Sequence, residues 1–156
     1  MKRNDSIKKI HSRTSLHKVL KDLKKKGKKI VFTNGCFDIL HLGHIKLIKK
    51  AKSMGDVLVA GINSDSSVKK LKGPKRPVMK ESARAEIIAS LEPVDYVTVF
   101  REDTPFELIK FIQPDILVKG GDYGIKEIVG RGIVKKVVRF KTVKGFSTTF
   151  LLKKIS

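Results

Sequence analysis

The chain has 156 residues, 40% of them hydrophobic, one cysteine and a formal net charge of +20. That length suits a single domain able to bury about two thirds of its unfolded surface, and the lone cysteine rules out a disulfide framework and fits a reducing, cytoplasmic setting. No run approaches the ~18 apolar residues of a membrane span, and Met1–Asp5 lacks the apolar core of a signal peptide.

Residues 1–14 are polar and basic and read as a loosely ordered arm ahead of one domain over 15–156. From Ser15, a candidate N-cap, Leu16, Val19, Leu20 and Leu23 fall at helical spacing until Gly27 stops the pattern. Residues 29–34 read as the first strand. The stretch Thr33-Asn34-Gly35-Cys36-Phe37-Asp38-Ile39-Leu40-His41-Leu42-Gly43-His44 then turns into a helix near His44, with Ile45, Leu47, Ile48 and Ala51 as its apolar stripe. Val57–Ile62 is a continuous apolar run of the kind buried on both faces of a parallel sheet. A helix near 65–71, a basic loop over 72–78 and a helix over 80–90 follow. Residues 94–99 read as the third strand. Asp103-Thr104-Pro105 opens a helix carrying Phe106, Leu108, Ile109 and Ile112. Residues 116–118 make a fourth strand, 134–140 a fifth, and Ser147 caps a last helix through Ile155.

Strands alternating with helices imply an α/β fold with a five-stranded, mostly parallel sheet and right-handed crossovers. Ligands in such folds sit beyond the carboxyl ends of the strands, where strand order reverses. The loops at Asn34–Asp38, Asn63-Ser64-Asp65 and Lys119-Gly120-Gly121-Asp122 should therefore gather on one edge. Neither the dinucleotide glycine fingerprint nor the P-loop is present, so phosphate binding must rest elsewhere. His41 and His44, three residues apart on a first helical turn, face the same side. The free N–H groups and positive dipole of that helix start suit a phosphate that gains charge in a reaction. Zinc ligation by His41, His44 and Asp38 is disfavoured, because no further His or Cys cluster stands elsewhere to complete a site.

The +20 charge has two readings, nucleic-acid binding or a solvated lysine-rich surface that attracts small anions. Lysine outnumbers arginine 28 to 7, and aromatics make up only 6% of the chain without interleaving the basic clusters. The second reading is preferred, since nucleic-acid readers favour arginine forks and stacked aromatics. No nucleic acid and no membrane is expected among the partners.

The strand, Asn-Gly turn, Phe-Asp pair, His-x-Gly-His and helix together resemble the signature of the nucleotidyltransferase superfamily. With Leu71-Lys72-Gly73, Arg76-Pro77-Val78, Glu102–Pro105, Pro114–Tyr123 and Ser147-Thr148-Thr149, the chain resembles the D-glycero-β-D-manno-heptose 1-phosphate adenylyltransferases over about residues 29–155. The resemblance implies a Rossmann-like fold, Mg²⁺ accompanying ATP, and transfer of AMP to heptose 1-phosphate with release of pyrophosphate, for the lipopolysaccharide core. It implies a form without the sugar kinase to which this enzyme is often fused, the kinase being a separate protein. It assigns His41 and His44 to the α-phosphate and transition state, with Thr33, Asn34, Gly35 and Phe37 shaping the pocket. Lys46 and Lys72 would neutralise phosphate oxygens, with Lys72 closing as a catalytic lid; Arg84, Ser147 and Thr148 would hold the triphosphate tail. Lys119, Gly120 and Asp122 would frame the nucleoside, Asp38 would brace the loop, and no protein residue is assigned to metal. A homo-oligomer, a dimer, is the expected assembly. A cytidylyltransferase acting on glycerol 3-phosphate or a similar polyol phosphate stays open as an alternative, as does a non-catalytic nucleic-acid binder.

Overall fold

The structure, a computed structural model, describes residues 5–121 and 124–155. Its elements run α1 (Arg13–Lys25), β1 (Ile30–Gly35), α2 (Leu42–Lys52), β2 (Val57–Asn63), α3 (Asp65–Lys72), α4 (Glu81–Ala89), β3 (Tyr96–Phe100), α5 (Phe106–Ile112), β4 (Ile116–Gly120), β5 (Lys136–Phe140) and α6 (Thr148–Ile155). The five strands form one sheet in the order β3-β2-β1-β4-β5. Every pairing is parallel, so the sheet is wholly rather than mostly parallel.

Alternation along β1 sorts its side chains between two cores. Ile30 and Phe32 point toward the face packed by α1 and α5, with Leu16, Leu20, Leu108 and Ile112. Val31 points to the opposite face, where Leu47, Ile48, Ala51, Ile88 and Ala89 of α2 and α4 meet Leu58, Ala60 and Val118. With both faces covered, β2 is buried at every position, which explains its unbroken apolar run. Asp56, Asp95 and Asp115 then serve the N-terminal edge of the sheet. Their carboxylates accept from the backbone N–H groups of Lys29, Leu58 and Ile30 at 2.7, 2.7 and 2.9 Å.

Several boundaries differ from those the sequence suggests. α1 begins at Arg13 because Ser12, not Ser15, is the cap; its hydroxyl accepts from the Ser15 N–H at 3.2 Å. The described part of the arm is not loose. Ile7–Lys9 form a 3-10 turn, Ile10 bridges to Val97, and the Lys9 ammonium donates to the Val94 carbonyl at 2.7 Å. Half-buried Ile10 packs against the α2/α4 core, and that apolar anchor outweighs the polar composition around it. α2 starts two residues early, β3 and β5 start two residues late, and α3 runs through Lys72, making that lysine the end of a helix rather than part of a loop.

Candidate active site

The strand order reverses between β1 and β4, and a cavity of about 540 Å³ opens there over the carboxyl ends of the strands. Its floor is Asn34 and Gly35 from β1 with Lys119 and Gly120 from β4. One wall combines the start of α2, carrying His41 and His44, with the segment Phe146–Thr149 that opens α6. The Thr148 hydroxyl donates to the Ile39 carbonyl at 3.4 Å, which ties α6 to the α2 loop. Ser147 caps α6, its hydroxyl accepting from the Phe150 N–H at 3.0 Å. The lining also includes Lys72 and Arg76, with Asp103, Thr104 and Pro105 from the β3–α5 loop. A Lys70–Asp103 ion pair at 3.0 Å joins those two segments.

The histidines are held by packing. His41 occupies the N-cap position of α2 with extended backbone. Its ring stacks on that of His44, with centroids 3.7 Å apart, and Phe37 meets the other side of His44 edge-on at 5.1 Å. Phe37 takes a left-handed backbone, φ 46°, which burial of its ring sustains. Gly43 is required between the histidines, since a Cβ there would lie 2.9 Å from the His41 ring and 3.4 Å from the Phe146 carbonyl. Burial pushes the His41 imidazole below its ordinary pKa. For His44, burial and then the neighbouring His41 bring it down to about 4. Both rings are therefore neutral at pH 7 without ligand, and the buried Nδ1 atom of each has no hydrogen-bond partner among the described residues. Buried polar atoms left so are uncommon, and the Thr33 and Thr98 hydroxyls in the sheet share the condition.

The loops around the cavity are braced by two charged side chains. Burial would raise the Asp38 carboxyl, but the N–H groups of Met79 and Val78 and the Arg76 guanidinium hold it below its usual range. The corresponding contacts are 3.0, 2.9 and 2.6 Å. Arg84 is fully buried. It donates to the carbonyls of Met79, Cys36 and Asn63 and to the Asp65 carboxylate at 2.6–2.9 Å. It does not line the cavity, so its assignment to the triphosphate tail is corrected: the guanidinium is spent on three loops of the protein itself.

Of the other assigned residues, Asn34, Gly35, Phe37, His41, His44, Lys72, Lys119, Gly120, Ser147 and Thr148 all line the cavity. Thr33 is buried in β1 beneath the floor, and Lys46 lies on the exposed side of α2; neither reaches the cavity. A residue two positions past His44 on a helix lies ~200° around the axis, so Lys46 faces away. Asp122 falls outside the described residues. The sequence assigned no role to Asp103, Thr104, Glu127 or Thr142, which also line the cavity. For Asp103 and Thr104 the signal was available, because they follow a strand at its carboxyl end. Nothing local marks Glu127 or Thr142. Burial holds the Cys36 thiol above its ordinary pKa, which argues against a thiolate nucleophile at neutral pH. No group of three or more His, Cys, Asp or Glu side chains among the described residues can hold a metal ion, and no helix among them is long and apolar enough to cross a membrane.

A parallel sheet with a His-x-Gly-His helix start at its switch point defines a nucleotidyltransferase-type fold. The chain belongs to the cytidylyltransferase-like family, whose profile matches residues 32–154. It is 60% identical over 137 residues to Bifunctional protein HldE of a Nitratiruptor species, covering 88% of this chain and 30% of that protein. It is 57% identical over 153 residues to Bifunctional protein HldE of Campylobacter jejuni subsp. doylei, covering 98% and 32%. The chain thus spans about a third of the length of these curated relatives. Among solved structures it is similar to the lipopolysaccharide core biosynthesis protein from Thermoplasma volcanium, with a TM-score of 0.66 and 32% identity over 76% of this chain and all of that one. A pantoate-beta-alanine ligase from Francisella tularensis, 22% identical with a TM-score of 0.67, shares the fold over 94% of this chain and 73% of its own.

Proposed function

We propose that this chain transfers AMP from ATP to a heptose 1-phosphate, D-glycero-β-D-manno-heptose 1-phosphate being the acceptor the resemblance names, and releases pyrophosphate. The observation that carries the transferase reading is the stacked pair of imidazoles at the start of α2, set beside the start of α6 in the lining of one cavity. Two helix starts and two imidazoles on one wall suit a polyphosphate, whose oxygens would accept from the ring N–H groups and the free backbone donors.

An acceptor phosphate oxygen attacks the α-phosphorus in line. The new P–O bond forms as the bond from the α-phosphorus to the bridging oxygen breaks, and the electron pair leaves with pyrophosphate. A sugar phosphate is mostly dianionic at neutral pH, its second pKa being about 6, so no general base is needed. Catalysis reduces to positioning and charge stabilisation. An imidazole neutral in the empty site acquires a proton more readily once an anion stands beside it, so His41 and His44 can answer charge as it develops. Mg²⁺ would be carried by the phosphates themselves, which suits its habit of keeping several waters and few protein ligands; bound to ATP it would neutralise part of the triphosphate charge. The cavity fits that arrangement, since Asp103 and Glu127 are its only carboxylates among the described residues and belong to no cluster able to hold a metal by itself.

The adenine and heptose assignments rest on the resemblance carried by the Lys119–Tyr123 block, and the likeness to a lipopolysaccharide core biosynthesis protein supports the setting. Pyrophosphate release measured with ATP or CTP, each paired with heptose 1-phosphate or glycerol 3-phosphate, tests them. The expected maximum is ATP with heptose 1-phosphate. A maximum for CTP with glycerol 3-phosphate would move the assignment to the cytidylyltransferase alternative and leave the histidine roles standing.

A further inference from the structure

We propose that Lys119 binds the phosphate of the acceptor, in an anion subsite separate from that of the triphosphate, and does not serve the nucleoside. The inference rests on the functional reading above in taking that acceptor to be a phosphate ester.

Lys119 is the penultimate residue of β4, and its ammonium reaches across to the Asn34 carbonyl of β1 at 3.3 Å. It therefore lines the cavity at the carboxyl ends of β1 and β4. The histidine wall offers the two helix starts and suits the triphosphate. In-line displacement needs the acceptor opposite the departing pyrophosphate; with the helix starts given to the triphosphate, Lys72 and Lys119 are the lining cations left for the acceptor.

Charge bookkeeping narrows the role. Arg76 is paired with Asp38 and Lys70 with Asp103. Neither Lys119 nor Lys72 has a carboxylate partner among the described residues. Lys119 is part-buried and Lys72 is exposed; burial, with Lys72 adding to it, lowers the Lys119 pKa, the Cys36 thiol opposing. A part-buried ammonium beside a second ammonium, with no carboxylate partner for either, favours an anion that completes the set. A neutral base or ribose would leave both cations unmatched, whereas a phosphate dianion between them would relieve their repulsion. The two cations would in turn screen the acceptor's charge from the triphosphate it must approach.

The test separates the substrates. In Lys119→Met the Michaelis constant for the sugar 1-phosphate should rise tenfold or more while that for ATP stays within about twofold, and Lys119→Arg should recover part of the loss. The ligand-free Lys119→Met protein should melt no lower than wild type, because a part-buried charge without a carboxylate partner is gone; a lower melting temperature would mark Lys119 as a structural residue and overturn the proposal. A rise confined to the Michaelis constant for ATP, or no change in either constant, would overturn it as well. Calorimetric titration of inorganic phosphate into protein saturated with α,β-methylene-ATP gives an arm independent of turnover. Phosphate binding lost in Lys119→Met would support the subsite even if no sugar 1-phosphate were turned over, an outcome that overturns the functional reading alone. Phosphate binding unchanged in the variant would overturn the subsite.

Discussion

His44 stands between the Phe37 and His41 rings with little water around it, and that setting decides its chemistry. Removing it takes away one preorganised donor at the expected α-phosphate while leaving Phe37 to hold the turn. His44→Ala should fold and lose turnover by on the order of a hundredfold or more. Wild-type turnover in a variant with an unchanged circular dichroism spectrum would contradict the role given to the pair. The same burial links stability to pH. The folded pKa is about 4, below the unfolded value of about 6.5. The stabilisation is thus complete above pH 6.5 and lost as pH falls through 4, where the folded imidazole must accept a proton. Urea titrations should show wild type losing stability between pH 6.5 and 4, by up to about 3 kcal/mol from this group. His44→Gln should flatten that slope; an unchanged slope would place the pH dependence elsewhere. Both histidines are legible in the sequence because their spacing and the glycine between them are local. Arg84 is not, since its partners Cys36, Asn63, Asp65 and Met79 come from separate segments that only the folded chain assembles.

At the scale of elements, two charged side chains fix the loops that carry the site. Arg84→Met would leave three buried or half-buried carbonyls and the Asp65 carboxylate without their donor. It should destabilise the protein by about 3 kcal/mol or more, the range for breaking a buried charged network from one side, with chemical denaturation as the measurement. A loss below about 1 kcal/mol, the exposed-pair range, would mean that water replaces the guanidinium. Lys72 ends α3 just before Gly73, whose φ of 99° allows a sharp change of direction. A lysine so placed suits late closure over phosphate oxygens, so Lys72→Ala should lower kcat more than it raises the Michaelis constant for ATP. An effect confined to that constant would indicate uniform ground-state binding. The elements themselves were readable because β1, β2 and β4 carry the apolar runs of a two-faced sheet and α1 carries a clean stripe. Their ends were not, because Ser12 outcompeted Ser15 as a cap and Ile10 found a neighbour 87 residues away in Val97.

Over the whole molecule, the sheet order places every site-bearing loop on one edge, whereas the +20 charge belongs to the surface at large. The alternation of strands and helices made the parallel sheet legible, but nothing in the sequence ties the excess lysines to the cavity. Among the described residues, Lys46, Lys49 and Lys50 of α2 and Lys69 and Lys70 of α3 are exposed. Such a surface acts at a distance: it raises the local concentration of anionic substrates without contacting them. Its reach is about 10 Å at 0.1 M ionic strength and about 3 Å at 1 M, so salt should weaken capture far more than chemistry. Raising potassium chloride from about 0.05 to about 0.5 M should lower kcat/KM for ATP by on the order of tenfold, the low end for electrostatic steering. The value of kcat should move much less, since in the closed complex the nearby cations are screened little. Initial rates of pyrophosphate release across a salt series measure both. A kcat/KM indifferent to salt would confine the useful charge to the few cations at the site and leave the remaining lysines with no part in substrate capture.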